Sequence, residues 1–166
     1  YDRLFTLKWT PPGRGLWMMG TKFVYEKTGA GLFNCAFRST KDLNTKGGYI
    51  FAWMMDALML GIGVGFDTLG AKTFTIKEPQ WTNDILQIED SREGWVNSIH
   101  ILLDGYFQGK KVPKFDFSVI RKEGELIKGF GGTSSGAKPL IELHNDLTAL
   151  LGEKVGELIE SVDIVD

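Results

Sequence analysis

The longest apolar stretch of the chain runs from Tyr49 to Leu60, where Ile50, Phe51, Trp53, Met54, Met55, Leu58, Met59 and Leu60 leave almost no polar face. Hydrophobicity on all sides predicts a buried helix, and the glycines from Gly61 to Gly65 end it. A second helix is predicted at about 91–107, with Trp95, Ile99, Leu102, Leu103 and Tyr106 on one face. Asp90 and Glu93, three residues apart, suit a capping box at its start. A third helical stripe consists of Leu140, Leu143, Leu147, Leu150, Leu151, Val155, Leu158 and Ile159. It follows Pro139, which fits a first helical position, while Gly152 and Gly156 weaken it enough to allow two shorter helices. Phe115 to Ile120 alternates with period two and reads as a strand, and Phe33 to Ser39 is short and strand-like. Thr73 to Ile76 and Ile85 to Ile88 read as two short strands forming a hairpin. Pro11, Pro12 and Gly13 place a turn near the start. Strands alternating with helices at this spacing predict an α/β fold with a mainly parallel sheet.

At 166 residues the chain has room for one substantial core. A net charge of −2 removes the basic face that electrostatic nucleic-acid binding needs. No apolar run approaches the ~20 residues that span a bilayer, so no membrane helix is expected. A single cysteine excludes a disulfide scaffold and suits a reducing, cytoplasmic setting. The chain starts at Tyr1 and stops at Asp166 without a helix stop signal. Residues 1–166 are therefore expected to be one partial domain of a longer protein.

The candidate chemistry centres on that cysteine, Cys35, in Leu32-Phe33-Asn34-Cys35-Ala36-Phe37. A lone thiol has no intramolecular partner, so a redox role requires a cysteine outside this chain; the alternative is a buried, structural thiol. Gly61-Ile62-Gly63-Val64-Gly65 lacks the spacing of a dinucleotide fingerprint. It reads as a tight turn or as a loop where backbone lies close to a ligand. The stretch Gly131, Gly132, Thr133, Ser134, Ser135, Gly136 is not a phosphate loop of the P-loop type, because Ala137 separates it from Lys138 and Pro139 follows. Anion binding by its amides and hydroxyls at a helix start stays open. His100 and His144 lie far apart on predicted helices, and no His, Cys and carboxylate spacing suggests a metal site. Asp42 and Asp67 read as turn residues.

Taken in order, several of these pieces resemble one family. Pro12-Gly13-Arg14-Gly15-Leu16-Trp17, Gly20-Thr21, Asn34-Cys35, Asp56-Ala57-Leu58-Met59 and Gly63-Val64-Gly65-Phe66 are similar to the adenosylcobalamin-dependent (class II) ribonucleoside-triphosphate reductases. Arg92-Glu93-Gly94-Trp95-Val96, Lys128-Gly129-Phe130-Gly131-Gly132-Thr133, Ser135-Gly136 and Ser161-Val162-Asp163 continue the likeness, which runs from Pro11 to Asp166. The resemblance implies part of a ten-stranded α/β barrel. It also implies replacement of a ribose 2′-hydroxyl by hydrogen through radical chemistry started by adenosylcobalamin. Cys35 then matches the first of two reducing cysteines, whose disulfide a thioredoxin-type reductant restores. Asn34, Gly63, Val64 and Gly65 fall in the substrate pocket for a ribonucleoside triphosphate. Asp42 falls where relatives contact a deoxynucleotide effector, and the Tyr49–Leu60 helix falls in the effector region.

The resemblance also says what this stretch lacks. The radical cysteine, its catalytic glutamate, the second reducing cysteine and the main cobalamin-binding segments are expected beyond Asp166. The span from Phe66 to Arg92 is short beside an extended insertion that some monomeric relatives carry. The rival reading is a non-catalytic nucleotide-binding module, with Gly131–Gly136 as an anion loop and Cys35 as core.

Overall fold

A computed structural model describes residues 1–127 and 131–166; Lys128, Gly129 and Phe130 of the glycine-rich motif lie outside the described residues. Short helices α1 (Asp2–Phe5), α2 (Gly13–Met18) and α3 (Lys22–Glu26) and a 3-10 turn (Gly29–Leu32) precede two βαβ units. The first unit is β1 (Cys35–Arg38), α4 (Leu43–Lys46), α5 (Tyr49–Met59) and β2 (Gly63–Phe66). The second is β3 (Gln80–Gln87), α6 (Arg92–Gln108) and β4 (Lys111–Asp116), followed by α7 (Lys138–Glu153) and α8 (Ser161–Val165). In each unit the two strands run parallel, β1 beside β2 and β3 beside β4, as a helical crossover requires. This confirms the α/β class; the two-stranded sheets do not by themselves make a barrel.

Glycines bring the units together. Gly47 and Gly48, at the α4–α5 junction, lie directly on α6: a Cβ on Gly48 would come within 2.6 Å of Leu103 Cβ and 2.9 Å of His100 O. The approach lets Gly48 N donate to Asp104 Oδ1 at 2.8 Å, and Lys110 Nζ donates to the other oxygen of that buried carboxylate at 2.7 Å. Arg92 links the helices at their far ends by pairing with Asp56. Gly105 gives α6 its contact with β4, since a Cβ there would lie 2.3 Å from Val112 Cγ2. The α6 helix stops at Gly109, a left-handed C-cap at φ +70°. The shared core includes Ile50, Met54, Ile99, Leu102, Val112, Leu140 and Ile159.

His144 of α7 enters this core. Its ring is 6% exposed and packs against Phe115 and Phe117. Ser98 Oγ lies 3.0 Å from His144 Nε2 and donates its own proton to Trp95 O at 2.8 Å. The hydroxyl is thus left as acceptor for an Nε2–H, and desolvation pushes the imidazole pKa down to about 4. Among the described residues no helix is long and apolar enough to cross a membrane.

Several expected elements differ. Ile85 to Ile88 forms no hairpin with Thr73 to Ile76: β3 pairs with β4, and Thr75 instead bridges Leu158. The β4 strand occupies 111–116 rather than 115–120, because Asp116 Oδ1 accepts Ser118 N at 2.9 Å and turns the chain. The N-cap of α6 is Ser91, whose Oγ accepts Gly94 N, in place of an Asp90–Glu93 box. Gly63 to Gly65 belongs to strand β2 and not to a loop. The third helical stripe gives one helix and not two: α7 ends at Glu153, Gly156 turns the chain at φ +90°, and Leu158 bridges Thr75, so Val155 to Ile159 is not helical.

Candidate functional site

The β1–β2 ribbon has two different faces. Ala36 and Val64 turn toward α5 and pack with Ala57, Leu60 and Ile62. Cys35, Phe37, Gly63 and Gly65 are exposed on the other side. Cys35 is paired across the ribbon with Gly63, and Phe37 with Gly65. Gly63 N donates to Asn34 O at 2.9 Å, which fixes the peptide that carries the thiol. Cys35 is thus a free, exposed thiol and not a core residue.

The glycines beside it are not required by the chain's own packing. A Cβ on Gly63 would meet nothing nearer than Asn34 O at 3.7 Å, and one on Gly65 nothing nearer than Phe37 Cδ2 at 3.7 Å. Both are ordinary contact distances, and neither residue has positive φ. Bare backbone beside an exposed thiol leaves room for a ligand to lie flat against the strand. Val64 joins this surface only through its backbone, since its side chain faces α5.

At the opposite end of the ribbon, Thr40 and Asp67 tie the strands together. Asp67 Oδ1 accepts Thr40 N at 2.8 Å, Thr40 Oγ1 at 2.9 Å and Leu69 N at 3.2 Å. Desolvation raises the Asp67 pKa, but hydrogen bonds from Thr40, Ser39 and Leu69 outweigh it and hold the carboxyl down at about 2. Asp42 precedes α4 beyond this end, paired with Lys46 at 3.2 Å, so the structure does not bring it to Cys35.

The glycine-rich loop forms a separate turn. Leu126 and Thr133 bridge, Gly131 and Gly132 have φ of +91° and +86°, and Ser134 N donates to Glu125 O at 2.8 Å. Gly136 N donates to Ser134 Oγ at 3.0 Å. The amides of Gly131, Ser134 and Gly136 are therefore already bonded within the chain, which disfavours the anion-loop reading. Thr133, Ser134 and Ser135 line a cleft of about 600 Å³ with Lys22, Arg92 and Arg121; Cys35 is not part of it.

Two residues escaped the reading of candidate chemistry. Arg14 reaches across 46 positions, with Nη1 donating to Leu60 O at 2.9 Å and Nη2 to Gly61 O, while its guanidinium stands over the Trp17 ring. Arg38, on the α5 side of β1, lies between the Tyr49 and Trp53 rings at 5.6 and 5.5 Å, with a buried Nε. For Arg14 the available signal was a cation between two glycines and near Trp17; no comparable signal marks Arg38. Among the described residues, no group of three or more His, Cys, Asp or Glu side chains is placed to hold a metal ion.

A parallel βαβ ribbon with an exposed thiol beside two glycines, joined through α5 and α6 to a second βαβ unit, defines an α/β protein. Comparison with known proteins makes this specific. Residues 67–151 match the family model described as "B12-dependent ribonucleotide reductase, insertion domain". A probable adenosylcobalamin-dependent ribonucleoside-triphosphate reductase of Dictyostelium discoideum is 46% identical over 184 positions, covering 100% of this chain and 24% of that protein. The adenosylcobalamin-dependent ribonucleoside-triphosphate reductase of Euglena gracilis is 44% identical, covering 100% of this chain and 23% of that protein. A crystal structure of a B-12 dependent (class II) ribonucleotide reductase superposes with a TM-score of 0.79 at 27% identity, covering 100% of this chain and 30% of that one. The chain belongs to the B12-dependent ribonucleotide reductase family. It spans about a quarter of the length of these curated relatives.

The insertion-domain match begins at Asp67, just after β2, and ends at Leu151 inside α7, a wider stretch than the 66–92 span that looks short in the sequence. The alignment with a Lactobacillus helveticus reductase extends over 220 positions against the 166 residues here, so that relative carries additional residues within the aligned length.

Proposed function

We propose that the protein containing this chain reduces ribonucleoside triphosphates to deoxyribonucleotides, and that Cys35 supplies one of the two reducing thiols. The observation that carries the proposal is the exposed Cys35 thiol beside Gly63 and Gly65, whose missing side chains no contact among the described residues explains. Family membership and the names of the relatives support the reaction. Two thiols lose two electrons and two protons and become a disulfide. The substrate loses its 2′-hydroxyl as water and gains hydrogen at that carbon. Asn34, Gly63, Gly65 and the Val64 backbone form the surface on which the ribose lies. The second thiol belongs to another part of the protein, because Cys35 is the only cysteine here. A thioredoxin-type dithiol then re-reduces the disulfide by exchange.

Adenosylcobalamin supplies the radical that starts this chemistry. Its binding groups are assigned mainly to the rest of the protein, since this chain spans only about a quarter of the length of its relatives. A deoxynucleotide effector at Asp42, beyond the far end of β1, fits an allosteric site separate from the thiol. Residues 1–166 act as one partial unit, in which further strands beside β1 and β2 complete a ten-stranded barrel. A cytoplasmic setting suits a thiol that must be kept reduced.

The test is turnover of the full-length protein with and without adenosylcobalamin. Cys35→Ser is expected to lower reductant-coupled turnover by at least about 10³-fold. Wild-type turnover in that variant would overturn the role of Cys35, and activity indifferent to cobalamin would overturn the reaction class.

A further inference from the structure

The C-terminal end of α5 leaves carbonyl groups that its own helix does not satisfy. Ala57 O accepts Leu60 N and Ile62 N, and Leu58 O accepts Gly61 N. Past Met59, the carbonyls of Leu60 and Gly61 are bonded by the Arg14 guanidinium. A guanidinium suits two adjacent carbonyls because its donors form a planar fork, and its charge suits the negative end of a helix dipole. Gly61 turns the chain at φ +74°, and a Cβ there would lie 2.5 Å from Arg14 Nη2. Glycine at this position thus serves both the turn and the guanidinium's space.

The turn held in this way leads directly to the thiol. Ile62, 5% exposed, anchors the next residue in the small apolar cluster with Ala57 and Leu60. Gly63 N then donates to Asn34 O, and Gly63 pairs with Cys35. From the Gly61 carbonyl to the strand that bears the thiol there are only two residues and one hydrogen bond. Arg14 makes no contact with Cys35 itself among the hydrogen bonds, ion pairs and ring contacts described.

We infer that Arg14 is a positioning residue for Cys35: its guanidinium clamps the α5–β2 turn and so sets where the Gly63 floor and the thiol lie relative to each other. The functional part rests on the reductase reading, whereas the hold on the thiol does not. Two readouts on the full-length protein separate them. Alkylation of the Cys35-containing peptide by iodoacetamide, followed by mass spectrometry, reads the hold. Ribonucleotide turnover reads the reaction.

Arg14→Ala is expected to change the Cys35 alkylation rate at least about threefold and to lower kcat by about 10- to 100-fold with KM changed much less, as misplacement of a reacting group does. Guanidinium or methylguanidinium at millimolar concentration should restore both readouts, whereas ammonium should not. Arg14→Lys, which offers a point charge without the fork, should fall between Ala and wild type. If Arg14→Ala does not accumulate as folded protein, Arg14→Lys and Arg14→Gln carry the same two measurements. Unchanged alkylation of Cys35 in these variants overturns the inference. So does a loss that follows the melting temperature alone and does not respond to guanidinium. Altered alkylation with guanidinium rescue, in a protein where Cys35→Ser leaves turnover intact, keeps the clamp and removes the reductase reading instead.

Discussion

The two βαβ units share a topology, but the strand glycines of the first and the helix glycines of the second contrast in their surroundings. In the second unit Gly105 and Gly94 are pressed against their neighbours, with added Cβ atoms at 2.3 Å from Val112 Cγ2 and 2.5 Å from Glu89 O. Packing alone explains them. In the first unit Gly63 and Gly65 have 3.7 Å of clearance and negative φ, yet carry no side chain beside an exposed cysteine. On the proposed reading, these glycines leave bare backbone for the ligand beside Cys35. The ionisable groups differ in the same way. The second unit closes over a neutral His144, whereas the first is tied by an ionised Asp67.

The sharpest way to break this contrast is alanine at each kind of glycine. Gly105→Ala should destabilise the full-length protein by about 3 kcal/mol or more, as overpacking does when backbone and side chain cannot retreat. Denaturant unfolding measures it. Gly63→Ala should leave stability within about 0.5 kcal/mol and yet reduce ribonucleotide turnover by about 10²-fold. Equal destabilisation at both sites would erase the distinction drawn from their clearances.

Acid separates the units by a comparable amount. The unfolded chain protonates His144 near 6.5, while the folded chain resists until about 4. The unfolded state therefore binds more protons in that window, and stability falls as pH drops from about 6.5 toward 4, by up to about 3 kcal/mol. Hydrogen exchange should show α6 and α7 loosening first. Asp67 has the opposite charge type and a lower window. Its contribution is complete above the ordinary value of 3.8 and is lost only as pH falls through about 2. Amides of Thr40 and Leu69, which donate to it, should stay protected at pH 4–5, and loss of their protection before that of α7 would contradict the assignment. Asp67→Asn should remove the low-pH step alone, the smallest of these effects.

Periodicity made the three long helices legible, because α5, α6 and α7 each bury a continuous apolar surface. The strands were harder. Gly63-Val64-Gly65 imitates a turn, since nothing in the residues shows that β1 will supply the ladder. Gln80 to Gln87 is polar because most of β3 is exposed, so alternation carries no signal there. Phe115 and Phe117 continue an alternating pattern past Asp116, whose side chain ends the strand by bonding Ser118 N. Cys35 was legible as a candidate because it is unique, but its exposure was not. The Arg14 clamp joins residues 46 positions apart, so its sequence neighbours do not name its partners.

The β1–β2 ribbon pairs with no other strand among the described residues. Each strand thus has an outer edge whose amides and carbonyls await partners, and such an edge is a template for any extended chain that meets it. During biosynthesis such edges are open to mispairing, and the β3–β4 ribbon has them as well. Under the proposed barrel reading, the interval before further strands pair with them is when the chain is most prone to aggregate, and rapid closure or a chaperone that shields extended segments becomes a condition for yield.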